Sequence, residues 1–110
     1  MSYKIFLDDI RDPEFVWPNE PASNWTVCRS VEEAIGIFWA QGWPRFVSFD
    51  HDLGEHTPSG MGFAHFLIEV DLEQDSMPAN FRFHVHSANP VGASNISGLL
   101  VSYMTTKGIL

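Results

Sequence analysis

Positive charge is scarce in this sequence. Six Lys and Arg residues stand against 14 Asp and Glu, giving a formal net charge of −8. The six (Lys4, Arg11, Arg29, Arg45, Arg82 and Lys107) are scattered along the chain. Extended nucleic-acid binding draws on many Lys and Arg contacts to phosphate, and this chain lacks that equipment. A small anionic ligand, or only the end of a nucleic acid, fits the charge if a metal cation supplies what is missing. Cysteine is nearly absent: Cys28 alone excludes an intrachain disulfide and suits a reducing cytoplasm. No apolar run approaches the ~20 residues that cross a membrane. Met-Ser-Tyr-Lys opens the chain without the apolar core of a signal peptide. A cytoplasmic protein without membrane partners is therefore expected. Repeats, linkers and low-complexity tracts are also missing. What is present can build a core: 45% hydrophobic and 14% aromatic residues in a chain of 110 fit a single domain over 1–110. Nothing in the composition speaks to oligomeric state.

The apolar runs are short and end abruptly. Residues 3 to 7 read as a buried strand that stops at Asp8-Asp9. Pro13, Pro18 and Pro21 make 10 to 24 an irregular loop with at most a helical turn. Residues 25 to 28 make a second strand. Ser30 and Glu33 form a capping box before a helix whose Val31, Ala34, Ile35 and Phe38 share one face, and Gly42 and Pro44 stop it. Phe46 to Phe49 is a third strand, ending at Asp50. A loop over 51 to 60 leads to a helix bearing Met61, Ala64, Leu67 and Ile68, which runs to about 73. Residues 81 to 85 form a fourth strand with Phe81, Phe83 and Val85 on one face, ending at His86-Ser87. A last helix is expected from Ser94 or Asn95, with Ile96, Leu99, Leu100 and Tyr103 inward and Gly108 at its end. Strands separated by helices imply right-handed crossovers and a mostly parallel sheet.

Three strands thus end in ionisable or hydroxyl side chains: Asp8-Asp9, Asp50-His51-Asp52 and His86-Ser87. In an open parallel sheet, ligands bind beyond the carboxyl ends of the strands, where strand order reverses. With the order 2-1-3-4, the strands ending at 7, 49 and 85 are neighbours about 4.8 Å apart, and the clusters meet in one crevice. Crowded carboxylates raise one another's pKa unless a cation offsets them, and Arg11 can offset only one. A divalent metal with oxygen ligands, Mg²⁺ or Mn²⁺, is the economical answer. The histidines leave Zn²⁺ open.

Plainer roles stand beside these. Asp8 and Asp9 could cap the turn after their strand, and Asp50 could be an N-cap. His84 reads as a structural histidine, His56 as a loop residue and His65 as a helix-surface residue. Trp17 is a core or rim aromatic, or else a wall for a base. Cys28 reads as an inert buried thiol.

Phe6-Leu7-Asp8-Asp9-Ile10-Arg11-Asp12-Pro13, Val47-Ser48-Phe49-Asp50-His51-Asp52-Leu53-Gly54 and Val85-His86-Ser87-Ala88-Asn89-Pro90-Val91-Gly92 occur in that order. Together, over about residues 3 to 104, they resemble the cyclic-phosphate-processing receiver domain family, itself similar to response-regulator receiver domains. The resemblance implies a small flavodoxin- or receiver-like α/β three-layer sandwich. It makes Asp8 and Asp9 the acidic pair, Asp50 the counterpart of the phosphoacceptor, and Ser87 the hydroxyl after strand four. The family is proposed to act on cyclic phosphate termini or nucleotides, in RNA repair or phage–host conflict. A receiver's fifth strand and its lysine are not expected here, since only Ile109 and Leu110 follow the last helix. His51 and His86 are additions that a phosphorylation switch does not need.

The resemblance therefore implies metal-dependent hydrolysis of a cyclic phosphodiester, either an RNA 2′,3′-cyclic phosphate end or a cyclic nucleotide. Asp8, Asp9 and Asp50 would hold the metal. His51 and His86 would share proton transfer, with Asp52 orienting His51. Arg11, Ser87 and Asn89 would hold phosphate oxygens, and Asp50 could instead be the nucleophile. The rival expectation is a non-enzymatic receiver-like module that binds Mg²⁺ or a nucleotide and signals to a partner, or sequesters ligand from it.

Overall fold

In a computed structural model, which describes residues 3–54 and 57–110, the short apolar runs become four strands in one sheet. β1 is Lys4–Leu7, β2 Trp25–Cys28, β3 Phe46–Phe49 and β4 Arg82–Val85. The helices are α1 (Val31–Gln41), α2 (Gly60–Gln74) and α3 (Pro90–Lys107). The sheet order is β2-β1-β3-β4 and all three pairings are parallel. This is a receiver-like α/β fold, as the strand and helix pattern implies. Among the described residues, no helix is long and apolar enough to cross a membrane.

Side-chain alternation divides the sheet into two faces. Ile5, Leu7, Val47 and Phe49 point to one face and join α1 (Val31, Ala34, Phe38), α2 (Phe63, Ala64, Leu67) and α3 (Ile96, Leu100, Met104) in the main core. Each such large apolar side chain contributes about 1.5–3 kcal/mol on full burial. Among the described residues, no α-helix covers the face bearing Lys4, Phe6, Phe46 and Ser48. The 10–24 segment, with short 3₁₀ turns at Pro13–Phe15 and Ala22–Asn24, supplies the third layer instead. It does so chiefly through Trp17, which packs against Trp25, Phe46 and His84. Glu20 from the same segment pairs with Lys4, whose ammonium lies over the Trp25 ring.

The caps show why the helices start where they do. Ser30 accepts a hydrogen bond from Glu33 N at 3.1 Å, as a capping box requires. The reciprocal bond lands one residue early, since Glu33 accepts from Arg29 N and not from Ser30 N. The last helix begins at Pro90, several residues before the expected Ser94 or Asn95. Asn89 is its N-cap, accepting from Gly92 N at 3.0 Å, and proline is well suited to the first helical position.

A buried acid fastens the far ends of α2 and α3. Asp71 is 3% exposed and accepts from Met77 N at 2.7 Å, Tyr103 Oη at 2.5 Å and Lys107 Nζ at 3.0 Å. Burial alone would raise its pKa, but these bonds overcome that and lower it.

Candidate functional site

Parallel pairing carries three chain segments past the sheet in register. Asp50 N donates to Leu7 O at 2.8 Å and His86 N to Phe49 O at 2.9 Å. The residues after β1, β3 and β4 are thereby fixed side by side. Asp8 is fully buried and Asp50 is 5% exposed. Carboxylate oxygens of Asp8, Asp9 and Asp50 lie within 4.8 Å of one another, so these three residues could hold a divalent cation. Asp9 and Asp50 line a cavity of about 520 Å³ together with Ile10, Arg11, Asp52 and Ser87, while Asp8 lies beneath it.

Asp8 is saturated. Its Oδ1 accepts from Ile10 N at 3.0 Å and Arg11 N at 2.8 Å. Its Oδ2 accepts from Arg11 Nε at 2.8 Å and His86 Nε2 at 3.0 Å. The Arg11 guanidinium also reaches Asp50 Oδ1 at 3.3 Å, so it lies between the two buried acids. Burial works against the Asp8 charge, but the Arg11 and Ile10 backbone bonds and His86 more than compensate, lowering its pKa. Asp50 moves the other way: burial first, and then the Asp8 charge, raise its pKa. One acid therefore holds its charge at the expense of the other.

The two histidines differ in setting. His86 has a side chain 2% exposed and stacks on Phe6 with centroids 4.6 Å apart; neither it nor His51 lines the cavity itself. Both nitrogens of His86 are engaged: Nε2 with Asp8, and Nδ1 with Ser48 Oγ at 2.7 Å. Burial dominates and lowers its pKa, favouring the neutral ring. His51 pairs its Nδ1 with Asp52 Oδ1 at 2.8 Å. Its ring lies against α3, where a Cβ on Gly92 would come within 2.3 Å of Cγ. Asp52 also accepts from Asn89 Nδ2 at 3.3 Å, and its pKa is lowered chiefly by the His51 bond.

The remaining candidates are placed as follows. Ser87 lines the cavity, and its Oγ accepts from Asn89 N at 3.1 Å. Asn89 is divided between capping α3 and holding Asp52. His84 is exposed, edge-on to Trp17, and His65 is exposed on α2. His56 lies outside the described residues. Trp17 sits on the sheet face, away from the cavity lining. Cys28 is buried, and burial pushes its thiol pKa up to about 12, which leaves it unreactive.

Three residues of structural weight at the site were not anticipated. Ser48 is a buried hydroxyl under His86, and in sequence it is one serine within an apolar strand. Gly60 closes the 51–60 loop by donating its N–H to His51 O at 2.8 Å, and a Cβ there would fall 1.9 Å from Asp50 O. Gly92 makes room for the His51 ring. Its place three residues after Asn89 was the available signal, because that spacing suits an N-cap.

The family model described as the cyclic-phosphate processing receiver domain matches residues 3–102. No curated protein and no solved structure matches the chain.

Proposed function

We propose, because the chain belongs to the cyclic-phosphate processing receiver domain family, that it hydrolyses a cyclic phosphodiester with the help of a divalent metal. The substrate class is an RNA 2′,3′-cyclic phosphate end or a cyclic nucleotide. The observation that carries this reading is the meeting of Asp8, Asp9 and Asp50 at a cavity whose edge holds Asp52, the partner of His51. An all-carboxylate donor set suits a hard cation such as Mg²⁺ or Mn²⁺ better than Zn²⁺. When bound, such a cation polarises a phosphate oxygen and lowers the pKa of a water.

The protein's own groups account for the rest. An ionised Asp52 can only accept, so His51 Nδ1 carries the proton and Nε2 of the neutral ring presents a lone pair. His51 would take a proton from the attacking water as the new P–O bond forms. It would return that proton to the ribose oxygen as the ring P–O bond breaks. Arg11 and Ser87, which both line the cavity, would hold phosphate oxygens. Of the two histidines, His51 is the better proton carrier, because both nitrogens of His86 are already committed.

The test is a panel of cyclic mono- and oligonucleotides and RNA 2′,3′-cyclic ends, incubated with Mg²⁺, Mn²⁺ or EDTA. Turnover that EDTA abolishes and that His51→Ala removes is the expected result. Short substrates should outperform long RNA at low salt, since the net charge of −8 repels a polyanion. No turnover with any metal, together with stable acid-labile phosphate on Asp50 from a phosphoryl donor, would replace this reading with a receiver-like signalling module.

A further inference from the structure

Three hydrogen bonds run from the face of the sheet to the acidic cluster; elementary donor chemistry fixes the direction of the outer two, and that of the middle one follows when the His86 ring is neutral. At one end, an indole N–H can only donate. Trp17 Nε1 lies 3.1 Å from Ser48 Oγ, so Ser48 accepts there. At the other end, the ionised Asp8 carboxylate can only accept, so His86 must present Nε2–H to Asp8 Oδ2 at 3.0 Å. A neutral ring with its proton on Nε2 has a lone pair on Nδ1. That lone pair faces Ser48 Oγ at 2.7 Å and receives the one hydroxyl proton. Every donor then points the same way: Trp17 to Ser48, Ser48 to His86, His86 to Asp8.

The middle of the chain admits no water to repair a fault. Ser48 and Asp8 are fully buried, and the His86 side chain is 2% exposed. A buried polar group left without its partner costs about 1–3 kcal/mol, so the unidirectional order is strongly preferred. Hydrogen bonds aligned in this way also polarise and strengthen one another. The Phe6 ring, stacked on His86, holds the imidazole in the plane that both bonds require.

We infer that Ser48 and Trp17 are positioning residues for the candidate metal centre, acting on the Asp8 carboxylate through His86. The inference rests on the reading of Asp8 as a metal ligand, and it does not depend on which reaction follows. Asp8 Oδ1 is held by two backbone N–H groups of its own turn. Oδ2 accepts from Arg11 Nε of the same turn and from His86, the one side chain beyond that turn that donates to Asp8 among the described residues. Ser48 and Trp17 therefore help to hold the Asp8 carboxylate, through His86, in the orientation in which it would meet a cation.

Two readouts test this. Long-range ¹H–¹⁵N spectra of the metal-free protein report which His86 nitrogen carries the proton and whether the other accepts a hydrogen bond. Calorimetric titration with Mn²⁺ reports affinity. The wild type should show a protonated Nε2 and a hydrogen-bonded Nδ1. Ser48→Ala should move the Nδ1 signal to that of an unbonded ring nitrogen and weaken Mn²⁺ binding about tenfold, the lower end of the effect of removing an outer-shell partner. Trp17→Phe keeps the aromatic packing but removes the donor, and should give a smaller loss of the same sign. A proton on Nδ1 in the wild type, or full Mn²⁺ affinity in Ser48→Ala, would overturn the positioning role alone. A wild type that binds no Mn²⁺ would remove the metal reading and this inference with it.

Discussion

Replacing Gly92 with alanine separates the candidate site from the fold. Gly92 is the third residue of α3, and its added Cβ would lie 2.3 Å from His51 Cγ, 2.6 Å from Cδ2 and 2.7 Å from Nδ1. All three are ring atoms. The helix backbone has no reason to move, while the imidazole can leave by rotating about χ1. Alanine in place of glycine stabilises a helix interior by roughly 0.5–1 kcal/mol. Against that stand an off-rotamer cost of about 0.5–1.5 kcal/mol and a lost His51–Asp52 bond worth about 0.5–1.5 kcal/mol. The two costs exceed the gain by about 1 kcal/mol at mid-range, so the urea midpoint of Gly92→Ala should fall only modestly below that of the wild type. Turnover should not: a positioned general acid–base group is worth about 10²–10⁴ in rate, so cyclic-phosphodiester hydrolysis should fall at least 100-fold. Loss of several kcal/mol of stability would refute the reasoning that the ring yields and not the helix. Wild-type turnover with a displaced ring would refute the role given to His51.

Gly60→Ala should behave in the opposite way, because its Cβ would fall 1.9 Å from the backbone oxygen of Asp50 and no side-chain rotation relieves that. Denaturant titration should show a loss of about 1–3 kcal/mol or more. Asp71→Asn should cost about 1–3 kcal/mol by weakening the bonds that a buried carboxylate accepts from Met77 N and Tyr103 Oη, read from the same titration. The Asp71 pKa is lowered in the folded protein, so its stabilisation is present above the ordinary carboxylate range and is lost as pH falls through the folded value. The acid limb of stability against pH should accordingly be flatter in Asp71→Asn. Asp50→Asn should raise the melting temperature of the metal-free protein. The Asp50 pKa is raised, so its ionised form is a burden once pH exceeds the folded value, and the gain should be largest at neutral pH and vanish in acid. The same variant should lose any rise in melting temperature that Mn²⁺ gives the wild type.

Much of this molecule was legible because its strands are short and end abruptly. β2 and β3 begin and end where apolar or β-branched residues give way to polar ones, and β1 and β4 are each trimmed by one residue at the start. Helix-length crossovers implied a mostly parallel sheet, while the order 2-1-3-4 entered as a supposition that the sheet bears out, and the meeting of Asp8, Asp9 and Asp50 depends on it. Asn89-Pro90 misled because the same dipeptide opens a turn or a helix; only the bond from Gly92 N to Asn89 decides between them. Ser48 was illegible for a different reason. A hydroxyl in an apolar strand gains meaning only from what faces it across the sheet, and His86 lies 38 residues away. Trp17 was hidden likewise, since an irregular segment gives no periodicity from which to read where its side chains point. Burial of His86 was beyond reach too: a residue at a strand's end can project into a crevice or fold beneath it.

The order of pairing in the sheet bears on how the chain folds and unfolds. Asp8 follows β1 and Asp50 follows β3, so these carboxylates approach only after β1 has paired with a strand distant in sequence. Such non-local contacts form slowly, because the intervening loop must close first. In the unfolded and early collapsed chain the acids are far apart, and their repulsion is absent. It arises near the end of folding, when little of the route remains. Neutralising Asp50, by substitution or by a cation, should therefore act on the escape from the native state more than on the approach to it. A bound cation would then lengthen the lifetime of the folded protein while barely changing how fast it forms, and would act as a kinetic latch.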